Sequence, residues 1–267
     1  MTASSRTSSP SPSQTSSHTT RAHSFNSAAA QYAANRPSYP TALLDTIEDL
    51  AGRPLTGARV ADIGAGTGIA TALLHARGAE VVAVEPGDGM AAQFRHALPE
   101  VPIVRGDGNR LPLATASLDF LTYAQSWHWT DPARSVPEAL RVLRPGGALA
   151  LWWNTDALDV SWIAAQSDRI HRHFGIRPAV EKNTGVDRAA RDSTGPFDLA
   201  RRQVRWSRHV SVDTHLANIG SHSGFLVQDE EVSDAFLEEE RTHLLQAFPH
   251  GTVEETYDVE LLLATRP

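Results

Sequence analysis

One short stretch governs what this chain can fold into: Val60-Ala61-Asp62-Ile63-Gly64-Ala65-Gly66-Thr67-Gly68, an apolar run that carries an acid and breaks into alternating glycines. It reads as a strand, a tight turn and the start of a helix. Glycines there let the backbone approach a ligand closely, with helix N–H groups facing it. Two ligand classes use such a turn. The dinucleotide fingerprint needs G-x-G-x-x-G. Here the third glycine comes one residue early, Ile69 occupies the fingerprint position, and Asp62 precedes the first glycine by two residues. A carboxylate beside the turn repels a pyrophosphate and attracts an ammonium or a sulfonium. No Gly-Lys-Ser/Thr follows, which excludes a P-loop. A bare turn without a ligand needs fewer glycines than three.

Around this stretch, strand and helix signals alternate. Leu43, Leu44, Ile47 and Leu50 fall at helical spacing, with Gly52 at the place of a C-cap. Strands are predicted at Arg59–Ile63, Glu80–Val84, Val101–Val104, Leu118–Tyr123 and Ala148–Trp153. Helices are predicted at Thr67–Ala76, Asp88–Leu98 and Pro132–Leu143, the last closed by Arg144-Pro145-Gly146-Gly147. Near-continuous apolar strands separated by helices indicate a parallel sheet covered on both faces. Ligands in such sheets bind outside the carboxyl ends of the strands, so the loops after Ile63, Val84, Val104 and Tyr123 should carry the chemistry.

The last third differs. Trp162–Phe174 reads as helix, Arg177–Ala200 as a long loop or lid, and Gln203–Val210 as strand. Asp229–Phe248 reads as an acidic helix with Val232, Phe236, Leu244 and Leu245 on its apolar side, and Thr252–Thr265 as the final strand. The last two strands suit an antiparallel hairpin at the sheet edge. The expectation is a Rossmann-like α/β fold: a seven-stranded sheet with a parallel core, an antiparallel C-terminal edge hairpin and helices on both faces. Residues 1–24, rich in Ser, Thr and Pro, are expected to form a disordered tail because they hold too little apolar surface to offset chain entropy. Residues 25–267 would form one domain, with 159–228 as a substrate-side lid.

Composition narrows the function. With no Cys among 267 residues, thiolate metal sites, a disulfide framework and a cysteine nucleophile are excluded. His171 and His173 lie two apart on a presumed helix and share no face, so no metal is expected. A net charge of −7 disfavours nucleic acid as the main partner. No apolar run approaches the ~20 residues of a membrane span, and no apolar h-region follows the N-terminus, so a cytoplasmic protein is expected.

The glycine stretch, the acid closing the second strand (Val82-Ala83-Val84-Glu85-Pro86) and the segment Gly106-Asp107-Gly108-Asn109-Arg110-Leu111-Pro112-Leu113 together resemble the class I S-adenosylmethionine (SAM)-dependent methyltransferases. In detail the chain is similar to the methyltransferase type 11 group and its trans-aconitate methyltransferase-like branch. The resemblance covers Tyr32–Asn154 well and the remainder loosely. It implies SAM as cofactor, S-adenosylhomocysteine as product and no metal. Asp62, Gly64, Ala65, Gly66 and Gly68 would hold the amino-acid part of SAM. Glu85, with Pro86 beside it, would take the ribose hydroxyls, a task that suits a carboxylate because it accepts from both at once. Met90 would lie by the adenine, although a lone Met is more often a core residue. Asp107, with Gly108 and Asn109, would accept from the adenine amine. Tyr32 and Arg36, from Tyr32-Ala-Ala-Asn-Arg-Pro-Ser-Tyr39, would approach the SAM carboxylate, which a guanidinium can pair bidentately. Gln125 completes the implied cofactor set.

On the reacting side, Gln125-Ser126-Trp127-His128-Trp129-Thr130-Asp131 resembles the H-W-x-D block of the same branch. Methyl transfer is an in-line displacement, so alignment is the protein's main task. A carboxylate acceptor needs no general base. A hydroxyl or amine acceptor does, and His128 is the candidate, with a structural role beside Trp127 and Trp129 as the equal alternative. His222 is a weaker catalytic candidate. Tyr39, Trp127, His128, Trp153, Ser221 and His222 are the expected substrate contacts. The resulting expectation is methyl transfer to a small molecule, foremost O-methylation of a carboxylate or hydroxyl, in specialised metabolism. N- or C-methylation and non-catalytic SAM binding are the alternatives.

Overall fold

The computed structural model describes residues 33–176, 199–222 and 224–267. The expected tail, Tyr32 and residues 177–198 of the expected lid lie outside them. Helix α1 (Thr41–Ala51) leads into strand β1 (Arg59–Ile63), followed by α2 (Ile69–Ala76), β2 (Glu80–Glu85), α3 (Asp88–Ala97), β3 (Ile103–Arg105) and β4 (Leu118–Ala124). A single 3-10 turn (Trp127–Trp129) precedes α4 (Pro132–Val142) and β5 (Leu143–Asp156). Then come α5 (Ser161–Phe174), β6 (Leu199–Ser211), α6 (Val212–Gly220), α7 (Glu230–Ala247) and β7 (Thr252–Thr265).

The strands form one seven-stranded sheet in the order β3-β2-β1-β4-β5-β7-β6. The first five are parallel to one another, and β7 runs antiparallel to both β5 and β6. The expected parallel core with an antiparallel edge hairpin is therefore present. The chain reverses strand order between β1 and β4, which opens a crevice at their carboxyl ends.

Alternation along the strands divides the core in two. Val60, Ala83, Phe120, Ala150 and Trp152 face α1, α2 and Phe94 of α3. Ala61, Val84, Leu121, Leu151 and Trp153 face Val136, Ala139 and Val142 of α4. Because both faces are covered, these strands carry few polar residues, and each buried Leu, Val or Phe stabilises the sheet by ~1.5–3 kcal/mol.

Several boundaries depart from the sequence reading. Helix α2 starts at Ile69 and not at Thr67, because Gly68 sits at φ +95°, a left-handed conformation that cannot continue a helix. Strand β3 is shifted to Ile103–Arg105. Strand β5 begins at Leu143 because the Arg144–Gly147 segment stays in the sheet. Gly146 N–H donates to Arg266 C=O, and Arg266 N–H donates to Gly147 C=O. Helix α6 appears where only lid was expected. Its N-terminus is capped by Ser211, whose hydroxyl accepts from Thr214 N–H. On α7 only Phe236 and Leu244 of the expected apolar side are buried, while Val232 and Leu245 are exposed. That helix rests on a narrow strip of α5 and α6, and Glu240 is buried there instead, paired with Arg169. No helix among the described residues is long and apolar enough to cross a membrane.

Candidate active site

An open cleft of about 460 Å³ lies over the carboxyl ends of β1, β4 and β5. Its floor is the glycine turn, Gly64 to Thr67, with Ile69 and Ala70 of α2. Ala124, Gln125 and Asn154 form one wall. The other is an extended strap, Arg36–Tyr39, that precedes α1. Gly64, Ala65, Gly66, Arg36, Tyr39 and Gln125, all singled out from sequence, thus share one cavity.

The turn is built for close approach. Gly66 has φ +60°, and a Cβ placed there would meet nothing within 4 Å. The space above it is therefore open to a ligand. Gly64 differs: at φ +65°, its Cβ would lie 2.6 Å from Ser126 Cβ. There glycine is required by the neighbouring loop after β4, whose Ser126 hydroxyl donates to Ile63 C=O at 2.5 Å. Beneath the turn, Asp62 is fully buried and turned inward. Its carboxylate accepts from the Thr71 hydroxyl at 2.6 Å and the Thr122 hydroxyl at 3.0 Å. Burial pushes its pKa up to about 6, against the pull of those two hydroxyls. The acid therefore sits under the turn, tying β1, α2 and β4 together, and does not line the cleft.

Glu85 ends β2 beside the cleft. One of its oxygens accepts from Gly66 N–H at 2.9 Å and the other from Gly87 N–H at 2.7 Å. Burial raises its pKa, and the two amides and Arg105 partly oppose this. Pro86 is exposed, and its carbonyl accepts from Arg105. Met90 is buried in the first turn of α3.

The segment after β3 joins the site through the block after β4. Asp107 is exposed and accepts from Asn109 N–H at 2.7 Å. Asn109 Oδ1 in turn accepts from Asp131 N–H at 2.7 Å. Gly108 packs so closely that a Cβ would meet Thr130 at 2.7 Å and Tyr123 at 3.0 Å. Gln125 has φ +58°, a strained left-handed conformation for a non-glycine residue. It is held there by its N–H to Trp152 C=O and its side-chain amide to Asn154 C=O.

The remaining candidates are scattered. Trp127 and Trp153 are buried in the α4-side core, the former edge-on to Tyr123. His128 is exposed, and Trp153 Nε1–H points at its Nδ1 across 3.4 Å. Tyr39 packs edge-on to Trp152. Ser221 is buried, and its hydroxyl donates to Asn218 C=O. It reaches the strap only by its carbonyl, which accepts from Arg36 Nη2 at 3.1 Å. His222 is half-buried just past α6.

Two polar residues of the cleft were not anticipated. Thr67 lies between two of the motif glycines, and its buried hydroxyl has no hydrogen-bond partner among the described residues. Asn154 follows two tryptophans that drew attention to themselves. Two-residue alternation puts it on the Trp152 side, where its amide donates to Ser38 C=O at 3.0 Å. Among the described residues no group of three His, Asp or Glu side chains is placed to hold a metal ion.

Comparison with known proteins agrees with this architecture. Residues 61–151 match the family described as a methyltransferase domain. An uncharacterized methyltransferase of Mycobacterium tuberculosis is 36% identical over 227 residues, covering 85% of this chain and 87% of the relative. Malonyl-[acyl-carrier protein] O-methyltransferase of Methylococcus capsulatus is 34% identical over 172 residues, covering 60% and 62%. Among solved structures, one described as a type II methyltransferase from Anaeromyxobacter dehalogenans superposes with a TM-score of 0.62 at 23% identity, over 86% of this chain and 97% of that one.

Proposed function

The chain belongs to the class I SAM-dependent methyltransferases, and from that premise we propose that it methylates oxygen on a small molecule, foremost a carboxylate and otherwise a hydroxyl. The single observation that carries this reading is the make-up of the cleft. Among the described residues its lining holds one cation, Arg36, and no His, Asp, Glu or Lys. A carboxylate acceptor arrives already able to attack and needs no proton removed by the cleft. The O-methyltransferase of M. capsulatus among the relatives supports the same direction.

The residues present fit the cofactor. Gly66 leaves open space where an added Cβ would stand, and Thr67 offers a buried hydroxyl that has no partner among the described residues. Glu85 is already oriented by two backbone amides. In this reading the turn from Gly64 to Gly68, with Ala65 and Arg36, holds the amino-acid part. Glu85, next to Pro86, takes the ribose diol. Asp107, with Gly108 and Asn109, takes the adenine amine, and Met90 stands behind. Asp62 acts by fixing the turn from below. When bound, SAM supplies an electrophilic methyl on a positively charged sulfur.

The chain's own contribution is alignment. Tyr39, Gln125 and Asn154 face the space left beside the turn, and the strap shields it from water. Well-aligned attack is worth ~7–11 kcal/mol of barrier. The Trp153 contact supports a positioning role for His128. A ring nitrogen that accepts from the indole leaves the imidazole proton on Nε2, so Nε2 is a donor and not a base. In this reading Ser221, whose carbonyl holds Arg36, and His222 next to it in sequence stand on the acceptor side.

Mass spectrometry of the purified protein should find SAM or S-adenosylhomocysteine. Turnover of isotope-labelled SAM against matched carboxylic acids, phenols and amines should give methyl esters or ethers. Methylamines as the main product would overturn the oxygen assignment.

A further inference from the structure

The strap from Arg36 to Tyr39 walls the cleft but belongs to no strand or helix. Its backbone is held by two side chains: Asn154 of β5 donates to Ser38 C=O, and Arg208 reaches in from the edge strand β6. We propose that Arg208 is a positioning residue that fixes the strap, and with it Arg36 and Tyr39, on the cofactor cleft; this rests on the methyltransferase reading above.

Arg208 lies on the edge strand β6, opposite Glu255 on β7. It does not line the cleft. Its Nη2 donates to Asn35 C=O at 2.9 Å, and its Nη1 reaches Arg36 C=O at 3.5 Å. Its Nε donates to Glu255 Oε2 at 2.5 Å. The other oxygen of Glu255 meets His215 Nδ1 at 2.6 Å. Thus one guanidinium spends its fork on the carbonyl that leads into the strap, Asn35, and on the first one within it, Arg36, while a buried carboxylate, fixed by α6, aims it. The planar, five-donor guanidinium suits this three-way contact, which an ammonium cannot reproduce.

Stability alone does not account for the arrangement. Glu255 is 2% exposed. Burying such a pair incurs a desolvation cost that apolar residues of the same volume avoid. What the pair adds is geometric: it sets where an otherwise irregular segment lies. Arg36 closes the circuit, because its own side chain grips the carbonyl end of α6 at Ser221. If the aiming contact is lost, the strap spends more time away from the cleft, and apparent affinity falls by the fraction of molecules still in place.

The test uses the whole chain and S-adenosylhomocysteine. Titration calorimetry on wild type, Arg208→Met and Arg208→Lys is combined with hydrogen–deuterium exchange of the peptide spanning residues 33–42. A strap in place about one-tenth of the time corresponds to a roughly tenfold higher Kd for Arg208→Met. Arg208→Lys, which keeps one charged donor, should fall between that variant and wild type, and exchange of the strap peptide should rise in the same order. Affinities within twofold of wild type, with unchanged strap exchange and only a lower Tm, would overturn the proposal. Should Arg208→Met not fold, Arg208→Lys decides on the same two readouts. If wild type itself binds no S-adenosylhomocysteine, the functional reading fails, and the exchange comparison alone judges the strap.

Discussion

Glu85, at the end of β2, and Gly66, in the floor of the cleft, are joined by a 2.9 Å hydrogen bond, the glycine amide donating to Oε2 of the carboxylate. The second oxygen is held by Gly87 N–H, so the carboxylate is oriented from both sides before any ligand arrives. Each oxygen keeps a further lone pair for a hydroxyl donor. Two charge-assisted hydrogen bonds at ~1.5–3 kcal/mol each correspond to at least ~100-fold in affinity. Glu85→Ala should therefore raise the Kd for S-adenosylhomocysteine about 100-fold or more. Glu85→Gln, which keeps one acceptor, should raise it about tenfold. Calorimetry checks both, and a Glu85→Ala protein binding within threefold of wild type would remove the ribose role.

The two central glycines should separate folding from binding. At Gly66 an added methyl meets open space, so Gly66→Ala should cost only the left-handed backbone strain of ~1–2 kcal/mol while obstructing the ligand. At Gly64 the same methyl overlaps Ser126, adding ~1–3 kcal/mol of overpacking to that strain. Urea unfolding should rank Gly64→Ala as the less stable of the two. At protein concentrations where both are folded, Gly66→Ala should bind S-adenosylhomocysteine at least ~10-fold more weakly than wild type, because backbone approach is what the turn provides. Equal unfolding midpoints would contradict the packing account.

How much of this was legible beforehand depends on whether a signal was local. The parallel strands announce themselves as apolar runs because both faces are covered, and the turn announces itself because only glycines tolerate it. Asp62 was legible as an acid beside the turn. Its inward direction was not, because Thr71 and Thr122 come from elements nine and sixty residues away. Asn154 was hidden behind Trp152 and Trp153, although the strand's alternation alone would have put it on the Trp152 side. Arg208 carried no local mark at all: its partners, Asn35 and Glu255, lie 173 and 47 residues distant. The buried face of α7 was misjudged because helical spacing shows which residues share a side, not how wide a strip the neighbours cover.

Asp62 should leave a pH signature in stability. Its folded pKa is raised from 3.8 to about 6 by burial. A raised carboxyl is protonated at little cost below its unfolded value. The stability it then contributes is lost as pH rises through about 6. A shift of about two units is worth ~3 kcal/mol. The unfolding free energy of wild type minus that of Asp62→Asn should thus fall by about 3 kcal/mol between pH 4 and pH 7 and level off above. Urea unfolding of both proteins at several pH values measures this difference directly and cancels the other titrating groups. A difference flat in pH would mean that Asp62 stays ionised throughout.

His128 should prove a positioning residue. It is exposed, and its Nδ1 faces an indole N–H, so the proton of the neutral ring belongs on Nε2. Loss of a true general base costs ~10²–10⁴ in rate. Loss of one hydrogen-bond donor to a charged acceptor is worth ~1.5–3 kcal/mol, or about 10- to 100-fold. His128→Ala should therefore lower kcat/KM by no more than about 100-fold with a carboxylate acceptor, with no limb near pH 6.5 removed from the profile. Trp153→Phe keeps the aromatic packing but deletes the N–H that orients the imidazole, and it should produce a loss of the same order or smaller. A drop beyond 100-fold in His128→Ala, accompanied by disappearance of that pH limb, would instead make His128 the group that accepts the acceptor's proton and would shift the substrate from carboxylates to hydroxyls.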